Sequence, residues 1–393
     1  MRGCPKRWRR HWFSTTAVPD RSRWSRSRWS LRVAVAVLAA CTPLAAAGTG
    51  SAEPFFRDQT AVDASEFTQL CTPDDSAAGT PDEASLEELS GLVSAGGLLY
   101  AVGDSGSDRA VTVMDGNCAV QRWLPLPVDP YDVEDMASGP DGRLWLADTG
   151  DNGRRRDTVA LIAMDRDTGA GELHRLTYPD GPHDAETVLV QHDGTPLIVT
   201  KEVFGAGNVY RPAGGAVVGD LASPGPTPLE KVGTLDVAET NGADDATTGS
   251  GTTAPALHST MFTGGAVSAD GTVAAVRSYS DVFLFSAPDG DLAAAFAAGP
   301  VVRAHVPQQP QGESIAFTEN GDLLIASEAR EGPVPPIQAL PGAVSRVQQQ
   351  ARTETVADEA SAHSSGTLWG IGIAGGAVVL LVGAGFLVRR RAR

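Results

Sequence analysis

Five short stretches of the chain repeat one pattern and put its most reactive residue at the third position. They read Glu88-Leu-Ser-Gly-Leu, Asp132-Val-Glu-Asp-Met, Asp184-Ala-Glu-Thr-Val, Thr263-Gly-Gly-Ala-Val and Gln311-Gly-Glu-Ser-Ile. The third column is therefore Ser90, Glu134, Glu186, Gly265 and Glu313, with three carboxylates in equivalent places. Carboxylates brought to one point cannot all stay ionised in a dry site, so something must compensate them. Two compensators suit the sequence. A hard divalent cation such as Ca2+ takes several carboxylate and carbonyl oxygens, which makes Glu134, Glu186 and Glu313 candidate metal ligands. Alternatively Lys201 and Arg277, at the ends of second strands, supply positive charge. Asp132, Asp148 and Asp184 add acceptors nearby. The same residues equally suit a salt-bridge network that pins neighbouring repeats together.

Other residues invite chemistry less strongly. His183, beside Asp184, is the best-placed general base among seven histidines, although a turn histidine without a catalytic task reads as well. Asp148-Thr-Gly-Asp151-Asn152-Gly is rich in oxygen donors, yet it lacks the closing bidentate Glu of an EF-hand loop, and an Asx-turn explains it too. The Gly103-Asp-Ser105-Gly stretch is not a nucleophile elbow, because no strand-to-helix turn surrounds it. No phosphate-binding loop, dinucleotide fingerprint, zinc signature or basic-aromatic nucleic-acid surface is present.

The elements that must position these residues are strands. Each third-column stretch is followed, after a Gly-centred turn, by a second apolar run: LLYAV at 98–102, LWLA at 144–147, PLIVT at 196–200, TVAAV at 272–276 and LLIAS at 323–327. The turns carry DG or NG dipeptides at Asp141, Asp270 and Asn320, and His192-Asp193-Gly194 gives a fourth. Further apolar runs continue most copies. Four short antiparallel strands repeated at roughly 45–50 residues predict an all-β chain, a β-propeller with five visible blades and room for a sixth. The propeller is expected over 86–347, with a flexible insert at 236–260 and end segments that meet to close the ring. Residues 48–85 form an N-terminal segment tied on by a disulfide between Cys71 and Cys118, the even pair left outside the leader.

The ends give an address. Residues 1–32 hold ten of the 31 Lys and Arg, an apolar run follows from Val33, and Ala45-Ala46-Ala47 offers a cleavage site, so 1–47 reads as a signal peptide. Cys41 also fits a lipidation site, and Val18 a later start. Residues 368–388 carry no charge and suffice to cross a ~30 Å hydrocarbon core as a helix. The basic tail at 389–393 then sets a single-pass type I orientation, with 348–367 as a polar stalk. Between leader and tail, 17 basic residues face 47 acidic ones, a balance of about −30. That charge argues against nucleic acid and for cations or basic partners.

The ordered set of ELSGL, GDSG, DVEDMA, LWLADTGDN, Tyr178-Pro-Asp-Gly-Pro-His-Asp-Ala-Glu, Val199-Thr-Lys-Glu, Val276-Arg-Ser-Tyr and Pro310-Gln-Gly-Glu-Ser-Ile-Ala-Phe resembles a family of exported bacterial β-propellers. That family is itself loosely similar to WD40-like, TolB-like and phytase-like propellers. The resemblance covers roughly 86–328 and implies the fold but no substrate. With the ends read as above, the propeller suits a membrane-anchored extracytoplasmic binding or scaffolding domain, its partner an extracellular protein or a small molecule. A metal-dependent hydrolase of the lactonase or phosphoesterase kind, with its site in the channel, is the other function such a domain supports.

Overall fold

A computed structural model describes residues 59–73, 85–104, 106–237, 260–330 and 332–356. The leader, the apolar 368–388 segment, its basic tail and most of the 236–260 insert lie outside these residues. Among the described residues, no helix is long and apolar enough to cross a membrane.

Strands β1 (Thr60–Val62) and β2 (Thr68–Cys71) come first. Four-stranded meanders follow. The first is β3 (Leu89–Ala95), β4 (Leu98–Gly103), β5 (Ala110–Met114) and β6 (Val120–Pro125). The second is β7 (Val133–Ser138), β8 (Leu144–Asp148), β9 (Val159–Met164) and β10 (Gly171–Thr177). The third is β11 (Ala185–Val190), β12 (Pro196–Thr200), β13 (Gly207–Pro212) and β14 (Thr227–Leu235). The fourth is β15 (Phe262–Val267), β16 (Val273–Ser278), β17 (Asp281–Ser286) and, after helix α1 (Leu292–Ala298), β18 (Val302–His305). The fifth is β19 (Gln311–Phe317), β20 (Leu323–Glu328) and β21 (Ile337–Leu340), completed by β2 pairing antiparallel to β21. A helix over 343–356, α2, ends the described chain.

Each first strand packs against the next, in the order β3, β7, β11, β15, β19, and β19 packs against β3. That closed circuit of meanders is a β-propeller. The outer edges of the second and third units also join, through a parallel pairing of β10 with β14.

Packing explains why the strands read as continuous apolar runs instead of alternating ones. Leu144 and Leu146 of β8 point to the first unit and join Val102, Val111 and Val113. Trp145 and Ala147 of the same strand point to the third and join Val188, Ile198 and Tyr210. Every sheet is thus covered on both faces, as in sheets buried between layers. Equivalent clusters fill the remaining seams. Burying one Leu- or Val-sized side chain is worth roughly 1.5–3 kcal/mol, so the seams supply most of the stability.

Two boundaries differ from the sequence reading. Within the expected N-terminal segment, residues 59–73 build the propeller itself: β2 completes the fifth sheet and β1 pairs parallel with β18, so an N-terminal end segment closes the ring. A stalk does not begin at Gln348. Ala343, Val344 and Val347 enter the seam between the fourth and fifth units, and their spacing carries the helix on to 356 with its polar side outward. The Cys71–Cys118 disulfide is present, with Cα atoms 5.7 Å apart. It ties the closing strand β2 to the turn between β5 and β6.

Candidate functional site at the carboxylate mouth

All five first strands break register near their start. The extra residue falls between Leu89 and Gly91, Val133 and Asp135, Ala185 and Thr187, Phe262 and Gly264, and Gly312 and Ile315. A bulge turns its residue out of the sheet and is a common device beside functional sites. Ser90, Glu134, Glu186, Thr263 and Glu313 occupy these equivalent positions. The sequence column was therefore two residues out of step in the fourth unit, where Thr263 and not Gly265 answers to the glutamates. Gly264 and Gly265 are glycines for close approach: a Cβ at Gly265 would stand 2.7 Å from Thr187 Cγ2, and one at Gly264 would collide with the Glu313 carbonyl. Thr263 itself donates its hydroxyl to the Gly312 carbonyl, 2.9 Å away.

Three of the five bulged residues are carboxylates, each no more than 4 % exposed. On one side of the mouth, carboxylate oxygens of Glu134, Asp184 and Glu186 lie within 4.8 Å of one another, and so do those of Asp104, Asp132 and Glu134. Glu134 is common to both triads. Burial, then the charges of Glu186, Asp104, Asp132 and Asp184, hold its carboxyl well above the usual carboxylate range. Burial also raises Asp184.

The opposite side is partly neutralised. Lys201, the residue after β12, forms an ion pair with Glu186 Oε1 and sits 5.3 Å from the centre of the Tyr279 ring. Burial and the Glu313 charge still push Glu186 up, against the pull of Lys201. Glu186 Oε2 and Glu313 Oε2 are buried without a hydrogen-bond partner. Gln311 Nε2 bridges Glu313 Oε1 at 2.9 Å and Glu328 Oε1 at 2.8 Å. Burial outweighs Lys201 at Glu313 and pushes it up to about 7; burial pushes Tyr279 up to about 12.

Other sequence candidates have different posts. Arg277 is fully buried and donates to the carbonyls of Ser314 and Ala326, both 2.9 Å, and to Gln309 Oε1 at 2.9 Å. It staples the fourth unit to the fifth, and burial lowers it to about 10. Asp148 Oδ1 accepts from the Asp132 N–H at 3.0 Å and Arg156 Nη2 at 2.8 Å. Asp151 Oδ2 accepts from the N–H groups of Arg155 and Arg156, which makes the loop after β8 an Asx-capped turn. That loop lies against the mouth, since a Cβ on Gly150 would collide with carboxylate oxygens of Glu134 and Asp132. His183 Nε2 is occupied by Asp180 at 3.1 Å and the Tyr210 hydroxyl at 2.9 Å.

Sequence reasoning missed Asp135, the residue after Glu134. Its carboxylate is fully buried and accepts the N–H groups of Met136 (2.8 Å), Val188 (2.8 Å) and Gly265 (3.0 Å), equivalent amides of three consecutive units. First strands are edge strands with unpaired N–H groups, and Asp135 satisfies three of them at the axis. It also missed Asp104 and Tyr279, which follow their second strands as Lys201 does; the common position was the available signal. At the opposite end of the channel a cavity of about 290 Å³ is lined by Ala95, Ser138, His192, Ser268 and Phe317 among others.

No family model matches the sequence, and no curated protein matches it. Solved structures do. Hydrazine synthase of Kuenenia stuttgartiensis is 14% identical with a TM-score of 0.33, over 66% of this chain and 61% of that one. Virginiamycin B lyase from Staphylococcus aureus is 12% identical with a TM-score of 0.33, over 67% and 68%. A gluconolactonase from Xanthomonas campestris is 18% identical with a TM-score of 0.35, over 69% and 79%. The chain thus spans less than two thirds of the hydrazine synthase chain. At these scores the similarities say nothing of this protein's activity.

Proposed function

We propose that this protein is a five-bladed, extracytoplasmic β-propeller, tethered to the membrane by residues 368–388, that binds a ligand through a divalent cation held at the carboxylate mouth. The observation that carries the cation is Glu134 itself. It belongs to two carboxylate triads at once, while the neighbouring Lys201 is engaged by Glu186. A Ca2+ ion has oxygen ligands at about 2.3–2.6 Å, so opposed ligands stand roughly 4.8 Å apart, which the triads can meet. Glu186 Oε2, buried and unpartnered, is a lone pair in want of a partner. Glu134 would hold the ion together with Asp184 and Glu186 or with Asp104 and Asp132, each a set of hard oxygen donors suited to Ca2+. When bound, it would supply a positive charge at the floor of the mouth.

Binding is preferred to hydrolysis because His183, the candidate base beside the mouth, is engaged by Tyr210 and Asp180. The hydrolytic reading keeps one support: Glu313, held near neutrality beside Lys201, is suited to move a proton. The test is metal content. Purified protein equilibrated with Ca2+ should hold about one ion per chain, EDTA should lower its Tm, and Glu134→Gln should abolish both effects. No bound ion and an EDTA-insensitive Tm would remove the cation from this function.

A further inference from the structure

We infer that the ligand of this mouth is an acidic saccharide, held by one anionic oxygen on the cation, another on Arg155, and a sugar face against Tyr131 and Phe204. The inference rests on the cation reading above and adds the chemistry of what that cation binds.

It starts from Gly153-Arg154-Arg155-Arg156, three consecutive cations in a strongly acidic domain. Two are held at the rim. Arg156 donates to the Gly150 carbonyl and to Asp148, both at 2.8 Å, and Arg154 Nη2 pairs with Glu202 Oε2 at 2.6 Å. Arg155 is exposed, and among the described residues its guanidinium makes no ion pair. Its backbone is fixed by Asp151 at 2.7 Å, so the side chain stands on a rigid loop whose Gly150 abuts Glu134 and Asp132. The loop that carries this guanidinium abuts the carboxylates, within a long side chain's reach of a cation held there, and the two charges together would make a two-point anchor for an anion.

The same contacts bring aromatic surface to the rim. The Arg156 guanidinium lies 4.6 Å from the centre of the Tyr131 ring, and the Arg154–Glu202 pair links this loop to Val203 and Phe204. Of the five large apolar side chains exposed among the described residues, three are Tyr131 (71 %), Val203 (63 %) and Phe204 (91 %). Such a concentration on one rim marks an interaction site in preference to chance exposure. Exposed ring faces suit the C–H face of a pyranose. An acidic peptide would gain more from a concave apolar pocket, and here the floor is charged. Without the cation, the anionic oxygen would have no positive partner at the floor of the mouth, so binding must be cation-dependent.

Full-length protein in detergent would be titrated with oligogalacturonate, a neutral oligosaccharide of similar length and polyglutamate, each in Ca2+ and in EDTA. Expected are binding of the uronate alone, only with Ca2+, and a loss of about tenfold in affinity in Arg155→Ala and in Phe204→Ala, with Ca2+ content unchanged in both. Absence of bound Ca2+ would defeat the cation reading. With Ca2+ bound, equal affinity for the neutral sugar or polyglutamate, binding that survives EDTA, or full affinity in Arg155→Ala would overturn the saccharide.

Discussion

Glu313 and its neighbours make stability depend on pH in an unusual direction. A buried carboxyl whose folded pKa is raised binds its proton more tightly folded than unfolded, so its stabilisation is complete below the unfolded pKa and is lost as pH rises. For Glu313 that window runs from the model-peptide value of 4.5 to about 7; Glu134 and Glu186, raised by burial, act in the same direction. In EDTA, Tm should therefore fall between pH 4.5 and 7, by a free energy on the order of 3 kcal/mol from Glu313, and Glu313→Gln should flatten that fall. Saturating Ca2+ should oppose it across neutral pH. A metal-free Tm that climbs through this range would show that these carboxyls ionise freely in the folded protein. The glutamates themselves were legible in the sequence from their shared column. Asp135 was not, because next to Glu134 it looks like one more acid. Only the fold reveals that the two side chains leave the bulge differently, one to the mouth and one to the axis.

At the scale of elements, the turns were the most readable feature. Gly142, Gly194, Gly271 and Gly321 all have φ between 72° and 91°, the left-handed conformation that DG and NG dipeptides announce. Bulges leave no such mark. One extra residue shifts the frame, and in the fourth unit the glycines required by close packing imitated a lost ligand. Helix α2 was hidden for another reason: only Ala343, Val344 and Val347 enter the core, and the glutamine-rich remainder looks like linker. The closing seam depends on three-residue and four-residue strands at the N-terminus, and there the disulfide matters most. It closes a loop of 47 residues' separation between β2 and the first unit. Cys71→Ser with Cys118→Ser should cost roughly 2–4 kcal/mol, read as a lowered midpoint in urea, with exposure of Phe67 and the fifth seam preceding the global transition. Unchanged denaturation of the double variant would assign the seam's stability to packing alone.

Across the described chain as a whole, strand β1 and Gln348 of α2 lie on the face opposite the mouth. The mouth is where first strands begin, while Thr60 pairs with Val302 at the far end of β18, and Gln348 of α2 hydrogen-bonds to Asp270 and Thr272 in a turn of that far end. If residues 368–388 span the bilayer as we propose, the mouth faces away from the membrane. A fluorophore at Arg155 should then transfer less energy to a lipid-surface acceptor than one at Asn320, and the reverse order would exclude this orientation. The β-propeller class was thus within reach of the sequence; which residues meet across the ring was not, since that depends on contacts between residues far apart in the chain, such as Gly265 with Asp135, 130 residues away, and Ser314 with Leu89, 225 residues away.

Those long contacts give the ring a clock. The amides of Val188 and Gly265 sit on sheet edges, where solvent would ordinarily exchange their hydrogens within the time of local fluctuations. Because both are sealed against the Asp135 carboxylate at the axis, they can exchange only when the second, third and fourth units move apart. Their deuterium uptake should be among the slowest in the chain, should match one another, and should quicken together in Asp135→Ala, timing the opening of the whole propeller from two hydrogens at its centre.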